Sequence, residues 1–523
     1  MKIFCGAGIN ENPTLDLSEA AAGSQNFKLA KDNYKYLPRD PFDLKGTATN
    51  GAEVRGLMQL VKRDDTSTTL VQAAGVVYKW DGASTFSSSG TVTATAQLRD
   101  TYWSLDDYIV ITDLSKTQPV SKWDGTTFST LSTGLGSTLY ARYGMVHHGR
   151  MWLFNVRTST DTPHLMVASA FENPISYDTT NRATSSTFSS GLEAFYMLTP
   201  DLRPINGVGK TLAGDLILST VEGAIFKLTG SSSLDYKWQE FYPGSNAVGT
   251  ESMVSIGNDI VYMRKGGNIE SLLATQNYGD VAADDLSRWI PLTVADMTGS
   301  LSVYDQRNQR VLFFTGNKVL VLFKDILYGG ASTGETGAKA KLSPWSIYKT
   351  DHSSNFTTSA AKYMRIPGTT NTSVYFGGPT GQIFDFNGSG QSGDAGSASI
   401  LVVRKTRFIE NKDGINFQRR VFRGTTRYRR INEISFNVTV SWGDEYTDSV
   451  STFTLKGPPA GEEGAFYGGT VYYGGTTYYM EGFEFANKIS HQNFSNVGKG
   501  PGCFLTFSTY DTVPYQVDFI EIQ

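Results

Sequence analysis

VYKWDG at Val77–Gly82 and VSKWDG at Val120–Gly125 are two copies of one phrase that lie 43 residues apart. An aromatic residue follows each copy, Phe86 after the first and Phe128 after the second. Alternating apolar and polar residues before Asp-Gly are typical of a strand that enters a tight turn. A repeat of about 40 to 50 residues has the period of one four-stranded propeller blade.

Looser copies of the strand-turn-strand pattern continue downstream. Turns are predicted at Gly214-Asp215, Asn258-Asp259 and Arg307-Asn308, because Gly, Asn and Asp favour chain reversal. We therefore predict an all-β protein with a β-propeller of six or seven blades over residues 61–395, and a set of β-sandwiches is the alternative fold. The candidate hairpins are Tyr143–Val156, Thr211–Leu228, Met253–Met263, Val303–Phe323 and Val374–Phe386.

Composition agrees with short strands and tight turns. The 523 residues include 54 Gly, 27 Tyr and 30 Phe, and only 18% are charged. Aromatic residues fit a pleated sheet and Gly fits turns. The pattern predicts little helix, with about two turns at Ala282–Trp289, which starts among acidic residues.

Two regions flank the predicted propeller. Residues 1–60 form an extended N-terminal segment that joins it, and the Gly/Ser-rich stretch Gly388–Ser399 is interpreted as a flexible linker. Residues 396–523 have strand-like spacing without the hairpin phrase, for example at Ile434–Val440 and Phe504–Phe507. We predict a C-terminal docking module that is rich in β-structure and resembles a β-sandwich.

Charge and cysteine content limit the possible functions. The formal net charge is −4 and the pI about 5.8, so contact with nucleic acid should be local or transient. Cys5 and Cys503 are expected to be reduced thiols. The sequence has neither a signal-peptide pattern nor about 18 consecutive apolar residues, which predicts synthesis in the cytoplasm and no insertion into a membrane.

The N-terminal phrases carry a family resemblance. In order they are "GIN" at Gly8–Asn10, "NF" at Asn26-Phe27, "LPR.PFD" at Leu37–Asp43 and "RGL" at Arg55–Leu57, followed by the first WDG hairpin at Val77–Gly82. This order resembles the start of the β-propeller tail nozzle and packaged-DNA stabilisation proteins of short-tailed bacteriophages. Further likenesses lie at Ala170–Tyr177, Tyr278–Ile290 and Asp444–Phe453.

The resemblance implies a structural virion protein of the phage tail, made in the host bacterial cytoplasm. Six identical subunits would form a ring around the DNA channel, as a nozzle or head-to-tail stopper docked beneath the portal and adaptor, next to other tail proteins. The ring would retain the packaged genome and conduct its ejection, with transient, non-specific contact to the DNA. No catalytic, cofactor-binding or metal-binding residue is implied.

Several strings that resemble catalytic motifs lack the context that the chemistry needs. Pro204–Thr211 (PINGVGKT) has Pro where a phosphate-binding loop needs its first Gly, and a strand-like pattern follows it. Gly330–Gly334 (GASTG) matches a nucleophile elbow without the strand-to-helix setting. His147 and His148 are adjacent, so on a strand they would point to opposite faces and could not share a metal ion.

Paired carboxylates are the remaining catalytic candidate. Asp64-Asp65, Asp106-Asp107 and Asp284-Asp285 could suggest a glycosidase, although adjacent acids at turns are usually solvated. Ser441–Thr447 (SWGDEYT) does not match the S-x-D-x-G-x-T-W repeat of propeller sialidases. We predict no enzymatic activity, with a tail protein that binds or hydrolyses host glycans, or a host-derived propeller scaffold, as alternatives.

One basic run is the candidate contact surface. It surrounds Phe422 and Tyr428, contains no acidic residue, and suits DNA phosphates, a subunit interface or a solvated strand face. The aromatic run Phe466–Tyr479 could pack locally or contact a partner. The candidate interface or DNA-channel residues are Arg419, Arg420, Arg423, Arg427, Arg429 and Arg430.

Overall fold

The computed structural model describes most of the chain between residues 36 and 388 and separate strands on either side. The described residues are 2–4, 26–29, 36–131, 138–177, 193–244, 246–248, 251–257, 259–264, 268–272, 284–287, 301–324, 345–352, 356–388, 394–395, 400, 402–405, 409–410, 419–430, 436–442, 449–455, 488–500, 502–509 and 515–522. The predictions for Gly330–Gly334 and Phe466–Tyr479 concern residues outside these ranges.

Seven four-stranded antiparallel sheets follow one another along the chain and form a seven-bladed β-propeller. The prediction of an all-β propeller is confirmed, and seven is the larger of the two blade numbers expected. The strands of blades 1 to 3 are Val54–Val61, Ser67–Ala73, Val76–Trp80 and Phe86–Thr91; Leu98–Trp103, Tyr108–Asp113, Ser121–Trp123 and Phe128–Thr130; and Tyr140–His147, Arg150–Arg157, Asp161–Ala168 and Phe195–Leu198.

Blades 4 to 6 repeat this order, and blade 7 completes its sheet with a strand from far upstream. The strands of blades 4 to 7 are Ile205–Lys210, Leu216–Thr220, Ile225–Thr229 and Lys237–Tyr242; Met253–Ile256, Asp259–Met263, Ile269–Ser271 and Asp284–Asp285; Leu301–Asp305, Arg310–Phe314, Lys318–Phe323 and Trp345–Lys349; and Ala361–Arg365, Thr372–Gly377, Gln382–Asp385 and, from upstream, Asp43–Thr47.

The repeated WDG phrase forms the turn between the third and fourth strands of blades 1 and 2. Trp80 and Trp123 end their third strands and are buried. The Asp81 carboxylate accepts backbone hydrogen bonds from Ala83 and Thr85, at 2.8 and 3.1 Å. Gly82 and Gly125 have φ of 93° and 101°, a left-handed conformation that Gly adopts without strain. The turn chemistry that was expected from the sequence is therefore present in both copies.

The core lies between neighbouring blades. Second strands such as Tyr108–Asp113 and Leu216–Thr220 are buried at every residue, because each sheet is covered on both faces. Between blades 3 and 4, Trp152 and Phe154 pack in one cluster with Leu218. Burial of such aliphatic and aromatic surface contributes most of the stability of a propeller.

The propeller begins earlier in the chain than the predicted boundary at residue 61. Val54–Val61 is the first strand of blade 1, and Asp43–Thr47 pairs with Gln382–Asp385 to close blade 7. Phe42 anchors this closing strand, since its ring centroid lies 5.3 Å from that of Phe356 and 5.2 Å from that of Phe384. The closing strand was missed because its partner is more than 330 residues away.

Two local predictions differ from the structure. Asp284 and Asp285 are not helical and pair with Ser271 and Glu270, because blade 5 needs a fourth strand. Asp259 is not in a turn: it begins the second strand of that blade and pairs with Ile256. The turns at Gly214-Asp215 and Arg307-Asn308 do lie between strands as predicted.

The stretch that was interpreted as a flexible linker contains a buried ion pair. Asp394 is fully buried and accepts hydrogen bonds from both terminal nitrogens of Arg39, with Nη1 at 2.7 Å from Oδ1. Arg39 Nε also donates to Asn26 Oδ1 at 3.0 Å. Asn26 and Arg39 belong to the "NF" and "LPR" phrases, so these phrases build one buried polar cluster.

Contacts divide the chain into two compact units. The larger comprises residues 42–319 and 353–387, and the smaller comprises residues 1–41, 320–352 and 388–523. Downstream of residue 400 the described backbone is β-structure, as the sequence pattern predicts. One sheet has the order Lys2–Phe4, Tyr515–Ile522, Arg419–Arg430, Lys488–Gly500; the other has Val402–Lys405, Gly502–Thr509, Phe436–Trp442, Ser449–Leu455, with Ile409–Glu410 also paired to Gly502–Thr509; and Phe27–Leu29 pairs with Tyr36–Pro38.

Within the described residues, no helix has the length and apolar character required to span a bilayer.

Candidate functional site in the propeller channel

The first strands of the blades lie side by side around the centre of the propeller and bring charged residues together there. In the sequence these residues lie in four separate segments, and the resemblance phrases include only Arg55, in the "RGL" at Arg55–Leu57. We call the group the channel cluster and define it by six charged residues that pair with one another. Its members are Glu53, Arg55, Arg99, Asp100, Glu251 and Lys362.

Arg99 and Glu251 form the central ion pair of the cluster. Arg99 lies on the first strand of blade 2, and Glu251 lies just before the first strand of blade 5. Nε and Nη2 of Arg99 each donate to one carboxylate oxygen of Glu251. Because these blades are three apart in a ring of seven, the two side chains span the channel. Only 19% and 20% of their surfaces are exposed.

The Arg99 guanidinium is also held by backbone carbonyl groups. Nη1 donates to Arg55 O and Leu98 O, and Nη2 donates to Ser359 O, each at 2.8 Å. Burial lowers the pKa of Arg99, but the charge and hydrogen bonds of Glu251 and the charges of Asp100 and Asp113 together outweigh burial and raise this pKa above its ordinary value. Arg99 is therefore permanently charged and links blades 1, 2, 5 and the start of blade 7.

A second link joins blades 7, 1 and 2. Lys362, on the first strand of blade 7, pairs with the Asp100 carboxylate of blade 2. The other oxygen of Asp100 accepts the backbone N–H of Gln59 in blade 1 at 3.0 Å. The Gln59 amide exchanges two 2.8 Å hydrogen bonds with the backbone of Arg365. Such fully bonded networks fix the relative positions of their members.

Glu53 completes the channel cluster. Its carboxylate accepts a hydrogen bond from Arg55 Nε at 2.8 Å and another from the Ser359 hydroxyl. Each charge of the cluster therefore faces a charge of opposite sign. This arrangement can tie blades together across and around the channel, and it fills the middle of the channel with side chains.

The six arginines of the predicted contact surface lie outside the propeller, on the single strand Arg419–Arg430 of the smaller unit. This strand is interior to its sheet, between Lys488–Gly500 and Tyr515–Ile522. The backbone register places Lys499 opposite Arg420 and Lys488 opposite Arg430. Two lysines that the sequence reading did not connect with the arginines are thus their direct neighbours.

The adjacent histidines do not occupy opposite faces, which corrects the sequence expectation. His147 ends its strand, but His148 has φ of 47° in the following turn, and the two rings stack with centroids 3.8 Å apart. His148 Nδ1 lies 3.1 Å from the Tyr236 hydroxyl. Burial, and then the nearby charges of His148 and Lys210, lower the pKa of His147 to about 4. The described residues contain no group of three His, Cys, Asp or Glu side chains suited to a metal ion.

The remaining candidate motifs have structural roles where they are described. Ile205–Lys210, within the phosphate-loop-like string, is the first strand of blade 4, and Lys210 Nζ donates to Val146 O at 2.9 Å. Two of the acidic pairs lie at first turns. There Asp65 pairs with Arg365 and Asp107 pairs with Arg63, at 2.7 and 3.2 Å, which links neighbouring blades.

Comparison with known proteins finds structural neighbours of low sequence identity and low TM-score. No family model and no curated protein matches the sequence. Virginiamycin B lyase from Staphylococcus aureus is 12% identical, with a TM-score of 0.41 over 66% of this chain and 98% of its own. The extracellular domain of a putative hybrid two-component system from B. thetaiotaomicron is 9% identical, with a TM-score of 0.42 over 79% of this chain and 47% of its own. The WD40 propeller domain of Doa1 is 8% identical, with a TM-score of 0.38 over 66% of this chain and 96% of its own. These three are not phage proteins.

Proposed function

We propose that this protein is a structural, non-enzymatic subunit of a short-tailed phage tail, a nozzle or head-to-tail stopper. Six copies would form a ring around the DNA channel, dock to the portal, adaptor and other tail proteins, retain the packaged genome and conduct its ejection in the virion. The sequence resemblance suggests this role. The uneven distribution of exposed apolar side chains over the propeller surface supports assembly into a ring.

The exposed apolar side chains concentrate on one side of the propeller. Apart from Leu44, the large apolar side chains that are exposed among the described residues lie on blades 2 to 4 and their loops. Leu212 is 81% exposed in the first turn of blade 4, and Leu234 is 57% exposed in its third turn. First and third turns of a blade share one face of a propeller, so these two leucines lie on the same face.

A second group lies on the opposite face of the same blades. Leu202, 61% exposed, is in the connection from blade 3 to blade 4, and Val221 is in the second turn of blade 4. A ring of identical subunits needs two different surfaces on each copy, since every head-to-tail contact joins one to the other. Two apolar groups on opposite faces of the same blades suit that requirement.

The channel cluster indicates which path the DNA would take in the proposed assembly. A duplex is much wider than the gap that one Arg–Glu pair spans, so the genome would not pass through the propeller of a single subunit. In the proposed assembly it passes through the opening that the ring of subunits encloses. The propeller then acts as a rigid wall element, which the cross-channel ion pairs favour.

The arginine-rich strand is the proposed contact to DNA phosphates or to an acidic neighbour. Arg419–Arg430 with the adjacent Lys488 and Lys499 concentrates cationic residues in one sheet of the smaller unit. Guanidinium groups bind phosphate and carboxylate oxygens in pairs, and the attraction does not depend on DNA sequence. We also propose that the two C-terminal sheets pack face to face as a β-sandwich that docks to the particle.

The ring is tested with a charge placed in the apolar group. Leu212→Asp combined with Leu234→Asp should abolish the rings of wild-type protein in negative-stain images and reduce the mass measured by light scattering to that of one chain. Thr370→Asp is the matched control, because Thr370 is exposed in the first turn of blade 7. Rings of unchanged size from the double variant, or wild-type chains that do not co-purify with particles at fixed stoichiometry, would refute the proposal.

A further inference from the structure

The seam that closes the propeller brings two carboxylates face to face. The closing strand Asp43–Thr47 pairs with Gln382–Asp385, and its register places Asp43 directly opposite Asp385. Residues opposite each other in an antiparallel pair have Cβ atoms about 5 Å apart. Asp43 and Asp385 are only 7% and 6% exposed. Like charges in this arrangement oppose the pairing that closes the ring.

Within the part of the chain that the structure describes, one cation, Lys45, forms ion pairs with both carboxylates. Lys45 Nζ is 3.3 Å from Asp43 Oδ2 and 3.9 Å from Asp385 Oδ2. Among the described residues, Asp43 Oδ1 is buried and accepts no hydrogen bond. With both carboxyl groups ionised, the seam therefore holds two negative charges against one positive charge, and one oxygen has no donor. This imbalance is costly in a buried site.

The other groups around Asp385 do not supply the missing positive charge. Its Oδ1 accepts hydrogen bonds from Asn387 N at 3.0 Å and from the Ser373 hydroxyl. The Tyr375 backbone pairs with that of Asp385, and the Tyr375 hydroxyl is buried without a hydrogen-bond partner in the described part of the chain.

Arg310 contacts Asn387, two residues after Asp385, and is paired with another carboxylate. Its Nε is 3.0 Å from Asp305 Oδ2, and Nη2 donates to Asn387 Oδ1. Asn387 in turn donates to the Ser373 hydroxyl at 3.2 Å. The excess negative charge consequently remains on Asp43 and Asp385.

We propose that the seam is a proton-operated latch: uptake of one proton by Asp385, which faces Asp43, tightens the closing strand on blade 7, and loss of that proton loosens it. The proton neutralises the Asp385 carboxylate and so removes its repulsion of Asp43. Lys45 then balances the one negative charge that remains at the seam. The device lies in the larger unit and does not depend on the proposed role in a phage tail.

The direction of the effect follows from proton binding. Burial, together with the charge of Asp43, raises the pKa of Asp385 above its ordinary value. Between that ordinary value and the raised pKa, the folded protein binds more protons than the unfolded chain, so stability falls as pH rises through this window. The closing strand is tightest below the raised pKa.

Hydrogen exchange tests the latch. In wild-type protein, the backbone amides of residues 43–47 should open several-fold less often at pH 4, close to the ordinary pKa of an aspartic acid, than at pH 8, after correction for intrinsic exchange rates. Asp385→Asn and Asp43→Asn should each give the protected behaviour at both pH values, because either substitution leaves one negative charge against the positive charge of Lys45. Asp259→Asn is the matched control, since Asp259 is buried and bonded to a serine hydroxyl in blade 5.

The Lys45→Met variant tests whether the pH dependence of exchange arises from the charges at the seam or from a general effect of pH on the protein. Loss of the Lys45 charge, which contacts both carboxylates, should strengthen the pH dependence of exchange at residues 43–47. Equal opening of wild-type protein at both pH values would overturn the latch, and so would a dependence that persists in both Asp→Asn variants. If one Asn variant does not fold, the other and Lys45→Met still decide the question.

Discussion

Glu251→Gln tests whether the channel cluster holds the propeller together. The substitution keeps the size and one acceptor oxygen of the side chain but removes the negative charge that faces Arg99. Removal of one partner from a buried ion pair costs about 3 to 5 kcal/mol. About a fifth of each side chain is exposed, and Arg99 keeps three backbone carbonyl acceptors. We therefore expect a loss of about 2 to 3 kcal/mol.

Thermal unfolding measured by circular dichroism is the assay. At roughly 2 °C per kcal/mol for a domain of this size, the expected drop in Tm is about 4 to 6 °C. A double-mutant cycle with Arg99→Met should show that the two losses are not additive, because both variants break the same link. Glu240→Gln, on the exposed outer strand of blade 4, is the control and should leave Tm unchanged. A Glu251→Gln protein with wild-type Tm would refute the conclusion that the channel cluster holds the propeller together.

Three further outcomes are expected. His147→Asn should reduce the loss of stability that wild-type protein shows between pH 6.5 and 4, where the unfolded chain binds a proton that the folded chain excludes. With a folded pKa of about 4, this loss in the wild-type protein should be about 3 kcal/mol. Identical profiles of stability against pH for the variant and the wild-type protein would contradict the burial argument. Gly82→Ala should lower Tm more than Gly125→Ala, although both glycines have positive φ. The new Cβ would lie 2.6 Å from the Pro367 ring at position 82 but 3.1 Å from the flexible end of Lys62 at position 125. A larger drop in Tm for Gly125→Ala would count against the turn geometry. Particle assembly or genome retention should be impaired more than folding of the isolated chain when Gln replaces Arg419, Arg420, Arg423, Arg427, Arg429 and Arg430. If DNA is the partner, leakage of the genome should rise with salt concentration. Normal particles would leave a solvated strand face as the explanation.

The parts of the fold that depend on neighbouring residues were predictable. The WDG turns are local, since Asp81 bonds to residues two and four positions ahead. The repeat period then indicated blades without any knowledge of long-range contacts. The same local reasoning failed at Ala282–Trp289, where acidic residues typical of a helix start instead form a fourth strand, because tertiary pairing outweighs weak helical propensity.

The channel cluster and the closing seam could not be predicted from one sequence. Arg99 and Glu251 are 152 positions apart, and nothing around either residue distinguishes it from a surface charge. Asp43 was expected in an extended segment, yet its strand completes the last blade. Asp394 lies in a stretch whose Gly and Ser content favours a flexible linker, and the partner that buries it, Arg39, is 355 positions away. These contacts depend on how the ring closes, which a local pattern does not contain.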